Sequence, residues 1–365
     1  MPHVCLLLSL AAMIVSSAAT VVTVRNDQPR LDVNGHYVDA HDGMIVSHSF
    51  PNGTNFYFLY GEFYNKTTGG PYPSSWGNSP QMAVYTSPDL TSWTYRGPGV
   101  PSVNQTKWIP NVFFDKFSQR FVMWYGCGQW CVGVSTDGLT FTNVTVQTSR
   151  YGYADSTDGT GVFVDDDNQG YIIFSSPNHN HVVSIEKLTR DYLSSTKEVV
   201  AVFPDTMVES PSLFKRNGIY YATYGSCCCA CRDGSGQVVL WSLHIAGPWK
   251  KQYPYADINC ADPSAEICGD FHGSVDLLVW NAQWWGPSFI PLSSGEVAIM
   301  FTGRRWLSGP QNPPTCMTLC TTGSECNQAD YFLARDFDVW YMLNFTEDGH
   351  VRLIEHLDSF QMEIP

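Results

Sequence analysis

Charge is scarce in this chain. Asp, Glu, Lys and Arg make up 15% of its 365 residues, and the basic side chains number 20 against 34 acidic ones. The resulting net charge of −14 repels phosphate backbones and anionic lipid, which excludes nucleic acid and charged membrane surfaces as natural partners. Helical periodicity is almost missing. No apolar stretch beyond the first residues approaches the roughly 20 needed to cross a bilayer, and no Ser/Pro-rich linker divides the sequence. What remains is rich in aromatics, at 14%. Few charges with many aromatic rings point to a compact, strand-rich body and not to a disordered chain.

The first segment, MPHVCLLLSLAAMIVSSAAT, has an apolar run from Val4 to Val15 followed by small residues from Ser16 to Ala19. It reads as a secretory signal covering residues 1–19, with a short membrane anchor as the rival. Twelve cysteines agree with export; eleven remain once Cys5 leaves with the signal, so one thiol is left free or intermolecular. An oxidising compartment would pair most of them, including those of CGQWC (Cys127, Cys131) and CCCAC (Cys227 to Cys231), although such close spacings also suit zinc. Sequons start at Asn52, Asn65, Asn104, Asn143 and Asn344, as expected of a secreted, glycosylated surface.

Short aromatic and β-branched runs recur along the chain: FYFLYGE (Phe56 to Glu62), RFVMWYG (Arg120 to Gly126), GYIIFSS (Gly170 to Ser176), IYYATYGS (Ile219 to Ser226) and EVAIMFTG (Glu296 to Gly303). Each is followed by a second strand-like segment. Five copies of one strand pattern at roughly 40 to 50 residues predict an all-β, five-bladed propeller over residues 20–365 as a single domain, ahead of a β-sandwich. The five runs are expected to be the inner strands of their blades. Residues just upstream of them then converge on one axial funnel: Asp39, His41 and Asp42 before the first, Asp155 and Asp158 before the third, Glu209 before the fourth, and Gln283, Trp284 and Trp285 before the fifth. Asp165, Asp166 and Asp167 in DDDNQG read as an ordinary turn. Opposed carboxyl groups are what glycosidic cleavage needs, one protonated to serve the leaving oxygen and one ionised to activate water. Flat indole faces suit the apolar faces of sugar rings.

The segments VFVDDDNQGYIIF and ESPSLFKRNGIYYATYGS, with SPDLTSW (Ser87 to Trp93), resemble glycoside hydrolase family 43. The AHDG stretch at Ala40 to Gly43, YGE at Tyr60 to Glu62, and AQWWGPSFIPL with RRW at Arg304 to Trp306 are similar to its exo-β-1,3-galactanase branch. The resemblance implies that Glu209 is the general acid, that Asp158 (or Asp155) orients and tunes it, and that Glu62 binds a sugar hydroxyl. For the base it leaves a choice. Most of the family uses an Asp before the first inner strand, here Asp42 or Asp39; the galactanase-like branch has a Gln near the water, here Gln283. An amide is a poor base unless it tautomerises, so chemistry favours Asp42, with Gln283 positioning substrate or water. Asp39, His41, Trp284, Trp285 and Arg305 complete the expected substrate contacts. Lys107 to Asn111 departs from the branch, which carries an acid and a base around that proline.

The function expected from these residues is a secreted, inverting, exo-acting glycoside hydrolase on β-1,3-galactan or arabinogalactan-type chains. The alternatives are a sugar-binding propeller without turnover and a disulfide-linked matrix protein. A polysaccharide or oligosaccharide is the expected partner of a monomer, and no cofactor is required. An axial Ca2+ near His272 is allowed by the fold class but has no ligand cluster at supporting spacing.

Overall fold

The computed structural model describes residues 19–51, 53–63, 81–100, 107–127, 130–147, 158–176, 179–206, 208–226, 236–252, 282–305, 337–352 and 357–365. Residues 1–18 of the expected signal segment, Asp155, His272, the cysteines from Cys227 onward and the sequons at Asn52, Asn65 and Asn104 lie outside them.

Every element among the described residues is a strand. Four sheets of four antiparallel strands follow one another: β2 (His41–Ser49) to β5 (Thr94–Val100), with β3 (Asn55–Glu62) and β4 (Met82–Ser87) between; β6 (Trp108–Asp115), β7 (Arg120–Gly126), β8 (Trp130–Ser135) and β9 (Thr142–Gln147); β10 (Asp158–Val164), β11 (Gly170–Ser176), β12 (Val182–Leu188) and β13 (Ser195–Val202); β14 (Val208–Arg216), β15 (Ile219–Ser226), β16 (Val238–Ser242) and β17 (Lys250–Lys251). A fifth sheet has three described strands, β18 (Gln283–Pro291), β19 (Val297–Arg305) and β20 (Phe337–Met342). The first strands touch in a closed ring, β2 to β6 to β10 to β14 to β18 and back to β2. The fold is therefore a five-bladed β-propeller. A separate pair, β1 (Thr20–Arg25) with β21 (Ser359–Ile364), joins the two ends of the described chain.

Five apolar clusters fill the five gaps between blades. Strand periodicity explains how one run serves two of them. In β3, Phe58 and Tyr60 face the second blade, while Tyr57 and Leu59 face the fifth blade and the β1–β21 pair. In β7, Phe121 and Met123 pack toward the first blade and Val122 and Trp124 toward the third. Side chains alternate across a strand, so a strand covered on both faces must be apolar at every position. This is why the five aromatic runs are unbroken. It also corrects their placement: the runs are the second strands β3, β7, β11, β15 and β19, and the innermost strands are the less apolar segments upstream of them. The expected site residues thus sit on the inner strands, not merely ahead of them.

The turns behave as their sequence predicts. DDDNQG joins β10 to β11; there Asp165 accepts hydrogen bonds from Lys215 Nζ (2.7 Å) and Tyr220 Oη (2.6 Å) of the next blade. In SPDLTSW, Asp89 accepts from the backbone N–H groups of Thr91 (2.9 Å) and Ser92 (2.6 Å), folding the connection between β4 and β5. Cys127 and Cys131 form a disulfide with Cα atoms 5.9 Å apart, which settles CGQWC in favour of pairing over metal.

Candidate active site

All five inner strands are broken within their first residues. Their ladders shift register between His41 and Met44, Trp108 and Asn111, Asp158 and Thr160, Glu209 and Ser212, and Trp285 and Pro287. The first four breaks hold a residue in the left-handed region: Asp42 (φ 51°), Ile109 (φ 52°), Gly159 (φ 67°) and Ser210 (φ 55°). Proline follows at Pro110, Pro211 and Pro287. A bulge leaves a backbone group unpaired, and proline has no N–H to leave. The residues that stand immediately before these five breaks are His41, Trp108, Asp158, Glu209 and Trp285, one from each blade. At Gly159 only glycine fits: a Cβ there would lie 2.7 Å from the Ser210 nitrogen. That contact sets the start of β10 against the Glu209 bulge.

Glu209 is 7% exposed. Its Oε2 accepts a hydrogen bond from Gln283 Nε2 (3.3 Å), which also donates to Ser210 Oγ (3.0 Å). Its other oxygen, Oε1, lies 3.5 Å from Nδ1 of His181. Three blades therefore meet on one carboxyl group: its own, the third through His181, and the fifth through Gln283. The Oε1 of Gln283 is buried with no hydrogen-bond donor among the described residues. Asp158 begins β10, its backbone opposite Ser175.

A second cluster closes the ring between the fifth and first blades. Asp42 accepts from Trp285 Nε1 on one oxygen and from Arg304 Nη1 on the other, both at 2.7 Å. All three residues are buried. Burial pushes the Asp42 carboxyl above its ordinary range; Arg304 opposes that shift and Asp338 adds to it. His41 Nε2 sits 3.0 Å from Asp39 Oδ1, and its Nδ1 3.8 Å from Asp338 Oδ1. Glu62 stands opposite His41 on β3 and accepts the Ile109 N–H (3.1 Å), tying the first blade to the bulge of the second.

The expected set thus divides. Glu209, Gln283 and the Asp158 backbone come together, and Asp39, His41, Asp42, Glu62 and Trp285 lie on the adjoining arc. Asp42, favoured on chemistry as the base, has both oxygens held by donors. Trp284 is corrected: it is 1% exposed and packs between blades against Tyr341 (4.9 Å) and Phe301 (6.4 Å), because alternation turns it away from the face of Gln283 and Trp285. Arg305 stands one residue beyond the position opposite Gln283. The residue opposite Gln283 is Arg304, and Arg305 pairs with Phe337 on the Trp284 face. His181 and Ser210 were not in the expected set. His181 follows a second strand instead of preceding it, so a search confined to the upstream segments passes it by; the signal was the doublet of histidines in NHNH.

The model for "Glycosyl hydrolases family 43" matches residues 50–285. A curated protein, beta-D-galactofuranosidase xynD of Aspergillus niger, is 27% identical over 173 residues, covering 41% of this chain and 49% of that protein. The chain spans about half the length of this relative. Among solved structures, an exo-beta-1,3-galactanase from Clostridium thermocellum aligns with a TM-score of 0.69 at 22% identity, over 93% of this chain and 67% of that one. An exo-beta-1,3-galactanase from Phanerochaete chrysosporium, solved with galactose, aligns at 0.66 and 17%, over 93% and 68%. At these identities the structures show a shared fold.

Proposed function

The chain belongs to glycoside hydrolase family 43, and from that premise we propose that it is a secreted, inverting, exo-acting hydrolase of β-1,3-galactan or arabinogalactan-type chains. The observation that carries the proposal is the Glu209–Gln283 contact at the bulge ring, a buried carboxyl and a buried amide brought together from neighbouring blades. In this proposal Glu209 donates its proton to the leaving glycosidic oxygen. Asp158, at the head of the neighbouring strand, orients that acid. Gln283 holds the attacking water through its Oε1. Because an amide takes a proton from water only as its imidic tautomer, the water step rests on that tautomer or on Asp42. The galactan preference is supported by the names of the two structural relatives and by the branch-like AHDG, YGE and AQWWG segments. Secretion is supported by residues 1–19 and by the Cys127–Cys131 disulfide, since such bonds persist in oxidising compartments.

Glu209→Gln tests the assignment. The isosteric amide keeps the Gln283 and His181 neighbours but has no acidic proton. Hydrolysis of β-1,3-galactan should fall by about 10² to 10⁴ or more, with the melting temperature retained. Full activity in that variant sinks the acid role. Binding of galactan oligosaccharides by calorimetry with no reducing sugar released, in the unaltered protein, would make it a binding module instead.

A further inference from the structure

His181 is a titratable side chain that faces Oε1 of Glu209, and no motif assigns it a role in the reaction. It lies in the turn between β11 and β12, on the third blade, while Glu209 is on the fourth. Two consecutive non-glycine residues there, Asn180 (φ 55°) and His181 (φ 52°), are left-handed. The turn is pinned at both ends. The His181 N–H donates to the Ser176 carbonyl (3.0 Å), and the His181 carbonyl accepts from the N–H of Val208, the residue before Glu209 (3.4 Å). Unusual backbone held this firmly is found where the surroundings over-determine a side chain's direction. Here the direction is toward Oε1 of Glu209, at 3.5 Å from Nδ1. Gln283 holds the opposite oxygen. Each oxygen of the carboxyl group is thus faced by a different blade.

We propose that His181 is a positioning residue for acid catalysis. Together with Gln283 it fixes the plane of the Glu209 carboxyl so that the proton-bearing oxygen is aimed at the leaving group. This rests on Glu209 being the general acid. It requires that the loss of His181 be felt in proportion to how much the leaving group needs a proton. A residue that only stabilised the loop would slow all substrates alike.

The test uses the intact protein and two substrates. In β-1,3-galactobiose the leaving oxygen belongs to a sugar and needs protonation. In 2,4-dinitrophenyl β-galactopyranoside the phenolate leaves without it. Glu209→Ala should lose about 10² to 10⁴ on the disaccharide and little on the aryl galactoside. His181→Ala should show the same selectivity at smaller scale: about 10 to 100-fold in kcat on galactobiose, under about 3-fold on the aryl substrate, and little change in KM. His181→Gln, whose amide can still reach Oε1, should recover part of the loss. It also carries the comparison if the alanine variant fails to fold. Equal losses on both substrates, or no loss on either, overturn the positioning role. If Glu209→Ala itself slows both substrates equally, or if the unaltered protein hydrolyses neither, the assignment of the acid falls first and the role of His181 with it.

Discussion

Removing the Arg304 guanidinium should separate the structural and chemical duties of Asp42. Arg304 is fully buried, and its Nη1 lies 2.7 Å from Asp42 Oδ2. In Arg304→Met the stem volume is kept and the Asp42 carboxylate is left buried with the Trp285 indole as its one donor among the described residues. Breaking one side of a buried ion pair typically destabilises by about 3 to 5 kcal/mol. Unfolding entropy near about 2.1 cal/mol/K per residue gives a chain of this length about 0.75 kcal/mol/K, so the melting temperature should fall by about 4 to 7 °C. The double variant Arg304→Met/Asp42→Asn removes both charges. Asn tolerates the left-handed backbone at position 42 and can still accept from Trp285, so most of the lost stability should return. Differential scanning calorimetry and galactan hydrolysis are measured on both variants. A double variant that is stable and active leaves the water to Gln283. A double variant that is stable and inactive gives the base to Asp42. A melting temperature for Arg304→Met within about 1 °C of the unaltered protein would refute the claim that this pair clasps the ring, since it would correspond to under about 1 kcal/mol.

Trp284→Ala should destabilise by about 3 to 5 kcal/mol through the cavity left between the fourth and fifth blades. The surviving folded fraction should keep an unaltered KM, whereas a sugar-stacking role would raise it. Asp89 offers a pH test. Burial pushes its carboxyl up, but hydrogen bonds from Ser92 and Thr91 outweigh this and bring it from 3.8 to about 2. A carboxyl with a lowered folded value stabilises the fold above its unfolded value and loses that contribution as pH falls through the folded one. Urea titrations should therefore show Asp89→Asn less stable than the unaltered protein near pH 6, with the gap narrowing between about pH 4 and pH 2.

The blade count was legible because a strand buried on both faces cannot hide: Tyr57 to Tyr60 or Phe121 to Tyr125 must be apolar at every position. The same conspicuousness misdirected the assignment of the inner strands. Those lie nearest the axis, where glycine, serine and asparagine (Gly43, Asn111, Gly161, Ser212 and Gly286) leave room for five strands to approach, and their composition is correspondingly muted. Glu209 and Gln283 were legible as polar residues heading such segments. Trp284 and Arg305 lie on the opposite face from Gln283 and Arg304 because a one-residue offset in a strand reverses the face. Choosing between Trp284 and Trp285, or Arg304 and Arg305, requires the register of β18 on β19, and the bulge at Trp285 obscures that register in the sequence.

The five bulges bear on why, in the proposed mechanism, the acid and the water-holding group are not a simple pair of carboxylates. Each blade offers one residue just before its bulge, and these residues make different contacts. The fourth presents Glu209, and the third brings the backbone that follows Asp158 against it. At the junction of the first and fifth, the ring must close between segments 243 to 262 residues apart, and there Asp42, Trp285 and Arg304 bind one another. A carboxylate with one oxygen on a guanidinium and the other on an indole is favoured as a clasp. The neighbouring position that stays open toward Glu209 belongs to Gln283, which faces Arg304 across the β18–β19 ladder. On this account, the closure of the propeller and the identity of the water-holding residue are one structural choice. Relieving the clasp by substituting both Asp42 and Arg304 should therefore leave Gln283 as the side chain whose loss then abolishes hydrolysis.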